Sequence, residues 1–191
     1  KTLTLGISCN IFPKILTTWT SDHSIKLEVD EGESSLNISF EKVDGNSEYN
    51  KYFEIPLIDM DAEKLHIPDQ EYTLDIEIDS KKFKKLIDEL GMIGDTVDFV
   101  CNETEINATS KSIEGSMTIN IPFDDIDAYS IEENETLNLT FSLKYLRIIG
   151  QFYKASSSVC LYMTSGNPVQ IKYTFDDHSY VRFYVAPSIE D

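Results

Sequence analysis

The sequence predicts an α+β fold in which amphipathic helices cover one face of antiparallel sheets. Three observations carry that expectation. Short segments alternate polar and apolar residues with period two, as half-buried strands do. Longer segments place apolar residues at i, i+3, i+4 and i+7, as one face of a helix does. The order strand, helix, three strands then recurs at a spacing of roughly sixty residues, a period that marks an architecture of stacked equivalent units.

The first unit opens on residues 2–8, which alternate and predict a strand. A helix over 10–19 follows, capped by Asn10, with Pro13 in its first turn, where the absent N–H costs nothing. It buries Ile11, Phe12, Ile15, Leu16 and Trp19 and turns Lys14 and Thr17 outward. Residues 24–29 and 35–40 alternate as strands around a turn at 30–34, and a second turn at 44–47 leads to a strand over 49–58. Residues 59–71 hold neither period and contain Ile67-Pro68, so they read as an extended connector between domains.

The second unit has a strand over 72–78, a helix over 80–91, strands over 96–101, 105–109 and 116–122, and an acidic loop over 124–134. Its helix buries Phe83, Leu86, Ile87 and Leu90, with Ser80 as N-cap and Gly91 as stop. The third unit has a strand over 136–141, a helix over 143–155, strands over 158–163, 169–175 and 180–185, and a tail over 186–191. On its helix Tyr145, Leu146, Ile148, Ile149, Phe152 and Tyr153 fill one side; Lys144, Arg147, Gln151 and Lys154 form a polar stripe on the other.

The 191 residues include 34 Asp+Glu against 16 Lys+Arg, a formal net charge of −18. A hydrophobic content of 41% argues against disorder, and the length is enough to bury a core. Within this acidic chain the helices hold Lys14, Lys81, Lys82, Lys84, Lys85, Lys144, Arg147 and Lys154, half of all the basic residues, with Asp88 and Glu89 their only acids. One basic helix face is ordinarily a solvated surface. Several helices sharing one sign against the charge of the whole imply a basic surface inside an acidic body, facing a polyanion. Screening limits each charge to about 10 Å at moderate salt, so the acidic exterior does not forbid a local basic groove.

Catalytic and metal readings find little support. Asp59, Asp61 and Glu63 alternate as in a calcium loop but lack its glycine and terminal glutamate. Asp124, Asp125 and Asp127 have no apolar setting to shift a pKa. His23, His66 and His178 lack metal-ligand spacing, and no glycine-rich phosphate loop occurs. No enzyme, metal or cofactor is expected. Cys9, Cys101 and Cys160, each beside an apolar stretch, predict buried free thiols in a reducing compartment. The sequons at Asn37, Asn102, Asn107, Asn134 and Asn138 read as chance in a chain rich in Asn, Ser and Thr. No apolar run approaches a membrane span, and the beginning does not read as a signal peptide.

Two stretches are more specific. Leu57-Ile-Asp-Met-Asp-Ala-Glu-Lys-Leu-His-Ile-Pro-Asp-Gln-Glu-Tyr72 resembles the interdomain connector, and Tyr184-Val-Ala-Pro-Ser-Ile-Glu-Asp191 the C-terminal tail, of the eukaryotic-type DNA sliding clamps, the proliferating cell nuclear antigen family. Leu139-Thr-Phe-Ser-Leu-Lys-Tyr-Leu146 and Met92-Ile-Gly-Asp95 match the same family. The resemblance covers the whole chain, which begins where the family's second unit begins, so a first unit is expected to be missing. It implies the DNA clamp fold, with 1–58 as the second half of the N-terminal domain, 59–71 as connector and 72–191 as the C-terminal domain with its tail. It further implies a head-to-tail homotrimeric ring around duplex DNA, with helices lining the hole, and a nuclear or viral replication site. Such a ring is placed by a clamp loader and acts as a processivity factor that tethers DNA polymerase and other replication and repair clients.

Carried over residue by residue, the family's client-peptide site falls on Leu65, Ile67, Pro68, Pro168, Tyr184, Ala186, Pro187 and Ile189, with Gln70 and Tyr72 beside them. Subunit contacts fall on the strands over 49–58 and 116–122. Glu103 stands where eukaryotic clamps carry a ubiquitin-accepting lysine. Asp88 and Met92 stand at usually basic positions, and Thr17 where lysine is common; Lys81, Lys82, Lys84 and Lys85 would compensate. Two other readings fit the charge: an acidic interaction protein whose exterior mimics nucleic acid, and a clamp paralogue in a heterotrimeric checkpoint ring.

Overall fold

The computed structural model describes residues 4–30, 32, 34–43, 49–59, 70–176 and 178–188. The chain divides into two compact units, Lys1–Ile67 and Pro68–Asp191.

In the first unit, α1 (Phe12–Leu16) precedes β1 (His23–Glu28), β2 (Ser35–Lys42) and β3 (Lys51–Pro56), which form an antiparallel sheet in the order β1-β2-β3. The β1–β2 turn contains Gly32 at φ +96°, a left-handed conformation that glycine adopts without strain. Ile15, Leu36, Ile38, Phe40 and Ile55 make the core, and the Phe40 and Phe53 rings meet edge-on at 5.4 Å. His23 is buried between the Thr20 hydroxyl and the Tyr49 carbonyl, each 2.9 Å away, so it is a satisfied core histidine.

Two expectations fail here. Residues 4–8 form no strand; Gly6 instead lies against Ile58, whose N–H donates to its carbonyl at 2.9 Å. A Cβ at Gly6 would come within 2.1 Å of the Ile58 oxygen, so this close approach requires glycine. The expected helix over 10–19 shrinks to five residues, and Asn10 does not cap it: the N-cap is Ile11, with no side-chain bond. The Thr17 and Thr18 hydroxyls donate to the Lys14 and Ile15 carbonyls and so compete with continuation of the helix. A single turn can point only one position squarely inward. Ile15 is buried, Phe12 is half-buried, and Ile11, Leu16 and Trp19 are exposed, against expectation. The turn at 44–47 and connector residues 60–69 lie outside the described residues.

The second unit contains β4 (Leu74–Asp79), α2 (Ser80–Leu90), β5 (Thr96–Cys101), β6 (Ile106–Ser112), β7 (Gly115–Asn120), β8 (Ala128–Ile131), β9 (Leu137–Ser142), α3 (Leu143–Gly150), β10 (Ser158–Met163), β11 (Val169–Thr174) and β12 (Tyr180–Val185). Its strands form two antiparallel sheets, ordered β12-β11-β10-β4-β8 and β7-β6-β5-β9. The two repeats exchange their leading strands. β4 joins the sheet of the following repeat, with Asp79 opposite Ser158, and β9 joins the sheet of the preceding one, with Ser142 opposite Thr96. One core lies between these sheets and the inner faces of α2 and α3, including Phe83, Ile87, Leu90, Phe141, Leu146, Val159 and Tyr173.

The N-cap of α2 is Asp79, not Ser80. β4 runs straight into the helix, so the last residue with extended ψ is Asp79, and its carboxylate accepts from the Lys81 and Lys82 amides at 2.9 Å each. Ser80 is fully buried, its hydroxyl without a partner among the described residues. Asp79→Ala is expected to cost about 1 kcal/mol of stability, by loss of a cap that also complements the helix dipole. Urea unfolding, read as a fall in midpoint at constant m, checks it. Gly91 ends α2 as expected but at an ordinary φ of −73°.

The acidic loop over 124–134 contains more structure than expected: a 3-10 turn at Phe123–Asp125, then β8, which pairs with β4. Tyr129 and Ile131 turn partly inward, and the Tyr129 hydroxyl donates to the Asn102 carbonyl at 2.8 Å. On α3 the buried stripe is narrower than expected: Leu143, Leu146, Ile149 and Gly150 are buried, whereas Tyr145 and Ile148 are each 54% exposed and Phe152 is also exposed. The helix tightens to 3-10 geometry over Gln151–Lys154. The expectation of three buried thiols holds only for Cys101, whose pKa burial pushes up to about 12; Cys160 is half-buried and Cys9 exposed. Among the described residues, no helix is long and apolar enough to cross a membrane.

Candidate functional site

Helices α2 and α3 pack against each other in the second unit. A Cβ on Gly150 would lie 3.8 Å from the Lys84 Cα, an ordinary packing distance, so the two helices meet in van der Waals contact there. The exchange puts the repeats in matching frames: Lys81 and Lys144 each follow the strand-ending Asp79 and Ser142 by two residues, and Lys84 and Arg147 by five.

The helix cations of this unit separate into three groups. Lys84, Arg147 and Lys154 gather at the helix seam. Lys84 Nζ pairs with Asp88 Oδ2, Arg147 Nε lies 3.9 Å from Asp88 Oδ1, and the Lys84 and Lys154 ammoniums lie 5.7 and 5.8 Å from the centroid of the Tyr153 ring. The Arg147 guanidinium covers Gly91, where a Cβ would come within 2.9 Å of Cζ. Since α2 has no basic residue in its last turn, Arg147 brings a positive charge to that negative helix end from the neighbouring helix.

Lys82 and Lys85 turn the other way, into a recess of about 260 Å³ shared with Ile119, Ile121, Pro122 and Asp125 beside the edge strand β7. Lys82 Nζ donates to Asp125 Oδ1 at 2.7 Å, a bond that raises the lysine's pKa, and Lys85 Nζ lies 3.6 Å from Glu89. Lys81 and Lys144 form the third group. Both are exposed, and neither has an acidic partner within salt-bridge distance among the described residues. Lys14 is exposed on α1 in the first unit.

A second set of residues meets around the end of the chain. Gln170, on β11, is 8% exposed, and its Oε1 accepts from both the Tyr184 hydroxyl at 2.7 Å and the Tyr72 hydroxyl at 3.4 Å. Tyr72 also packs on Tyr162 at 5.5 Å, and burial raises its pKa. Tyr184, Ala186 and Pro187 line a groove of about 610 Å³ whose opposite wall is Tyr145 and Ile148 of α3. The tail is fixed there by the Ser188 amide, which donates to the Thr140 carbonyl at 2.8 Å. Pro168 is half-buried just before β11 but does not line this groove, and the Gln70 Nε2 is buried with no partner among the described residues. Leu65, Ile67, Pro68 and Ile189 lie outside the described residues.

Sequence reasoning missed Gln170, Tyr145 and Ile148. Gln170 occupies a polar slot in an alternating strand, and only the tyrosines that close over it make it structural. Tyr145 and Ile148 carried the helical period, but the period does not say whether an apolar stripe meets the core or a groove. Among the described residues, no cluster of His, Cys, Asp and Glu could hold a metal ion. A family model described as proliferating cell nuclear antigen, C-terminal domain, matches residues 66–188.

Proposed function

The chain belongs to the proliferating cell nuclear antigen family, and from that premise we propose that it is a DNA sliding clamp: a homotrimeric ring that encircles duplex DNA and tethers polymerase and other clients. The observation that carries this reading is the matched placement of Lys81 with Lys144 and Lys84 with Arg147 on two packed helices, in a chain of net charge −18. Exposed ammonium groups on long side chains meet phosphates without reading bases. Such contacts are weak and interchangeable, which suits movement along the duplex, while closure of the ring keeps it in place.

The remaining parts follow from the same reading. β3 and β7 are both edge strands, and an unpaired edge is a template for head-to-tail pairing with a neighbouring copy. The groove lined by Tyr184, Ala186 and Pro187, opposite Tyr145 and Ile148, takes a client peptide by its apolar anchors. The protein works as a scaffold in the nucleus and not as an enzyme.

Retention on DNA tests the topology. The full-length protein, placed by a clamp loader on a nicked circular duplex, is expected to co-elute with the circle in gel filtration and to be released when the circle is linearised. Equal retention on circular and linear DNA, or none on either, overturns the reading.

A further inference from the structure

We propose that Asp88 is an electrostatic brake on the DNA-facing helices, occupying Lys84 and Arg147 so that phosphates must displace a carboxylate to reach them. This rests on the reading of the chain as a DNA clamp and adds a control element to that surface.

The geometry is specific. The two carboxylate oxygens of Asp88 are divided between cations of different helices, Oδ2 to Lys84 on α2 and Oδ1 toward Arg147 on α3. Arg147 lies over Gly91 at the end of α2, where a Cβ would come within 2.9 Å of both its Nε and its Cζ. Lys84 and Asp88 are only about a third exposed, at 30% and 36%, which leaves this pair less screened by salt than a fully exposed one. The equivalent of Asp88 in the third repeat, nine residues past Ser142, is the neutral and exposed Gln151. The repeat therefore folds without an acid at this place. Lys81 and Lys144, with no such partner, are left to make the first phosphate contacts. The result is a surface whose hold on DNA is deliberately incomplete: some cations engage at once, and two more engage only in competition with Asp88.

Binding of the full-length protein to a short duplex, followed by fluorescence anisotropy from 50 to 200 mM salt, tests the brake. Asp88→Asn is expected to bind several-fold tighter at about 100 mM salt, and the slope of log K against log salt to steepen by about 1 to 2 per subunit on the DNA, since each newly engaged phosphate adds about 0.9. In a Lys84→Gln/Arg147→Gln background the same change should bring almost no gain. Glu89→Gln, which releases only Lys85, should bring less than Asp88→Asn. An unchanged slope for a folded Asp88→Asn protein overturns the proposal, as does an equal gain in the doubly neutralised background or from Glu89→Gln. Those failures differ from failure of the clamp reading itself, in which the wild-type protein shows neither salt-dependent duplex binding nor retention on circular DNA.

Discussion

Reversing Lys81 and Lys144 together, as Lys81→Glu/Lys144→Glu, weakens binding to duplex DNA by roughly 100-fold and impairs loading onto a circle while leaving the fold intact. These two side chains are the cations of α2 and α3 with no acidic partner among the described residues, and both are exposed. Their replacement leaves no buried charge stranded, so the effect on stability should stay within about 0.5 kcal/mol. The effect on DNA is large for the same reason. An ammonium with no acidic partner can displace a phosphate counterion directly, whereas Lys82, already bonded to Asp125, must first give up its partner. Each lost contact flattens the salt slope by about 0.9, and the two added carboxylates repel the phosphates, so affinity should fall by roughly 100-fold at moderate salt. Lys82→Glu should do much less. Anisotropy titrations with thermal melts as the folding control make the comparison. An acidic mimic of nucleic acid would be indifferent to the double reversal, and unchanged DNA binding would move the reading to that class.

How far the sequence foretold this arrangement depended on which force placed each residue. The stripe Phe83, Leu86, Ile87 and Leu90 is buried as its period implied, and β5, β10 and β12 run close to their expected bounds, because hydrophobic period reports directly on a half-buried surface. α1 carries a similar stripe over only one turn, and there the threonine hydroxyls decided the length. β8 hid inside an acidic flank because four residues are too few to show a period, and its burial is supplied by β4 and by the bond from Tyr129 to Asn102. At the site, charge against the global balance pointed to the basic residues themselves. It could not show that Asp125 would claim Lys82 from 43 positions away, or that Arg147 would settle on Gly91 instead of standing with Lys144. Local pattern names the cations; tertiary pairing decides which of them are available.

The exchange of leading strands has the largest consequence for folding. Cutting the second unit in the turn before β9, between residues 133 and 134, should leave neither half folded alone, although each half contains a full strand–helix–three-strand repeat. Residues 68–133 on their own would lose β10 from one side of β4 along the whole register from Leu74 to Asp79, and β9 from the inner edge of β5. Leu74, Ile76, Val97 and Phe99, buried in the intact unit, would then face water or an unpaired edge. Burying one such side chain is worth about 1.5–3 kcal/mol, so losing the four together costs about 6–12 kcal/mol, comparable with the roughly 5–15 kcal/mol by which a domain is usually stable. Residues 134–191 would suffer the reciprocal loss, with α3 missing its contact with Lys84 at Gly150. Mixed in equal amounts, the two pieces should regain strand signal in circular dichroism and dispersed amide resonances, because each supplies the strand that the other lacks. A cooperative melt from 68–133 alone would show that a repeat holds together without its neighbour's strand, and the exchange would then be a way of joining finished parts instead of the means by which each is completed.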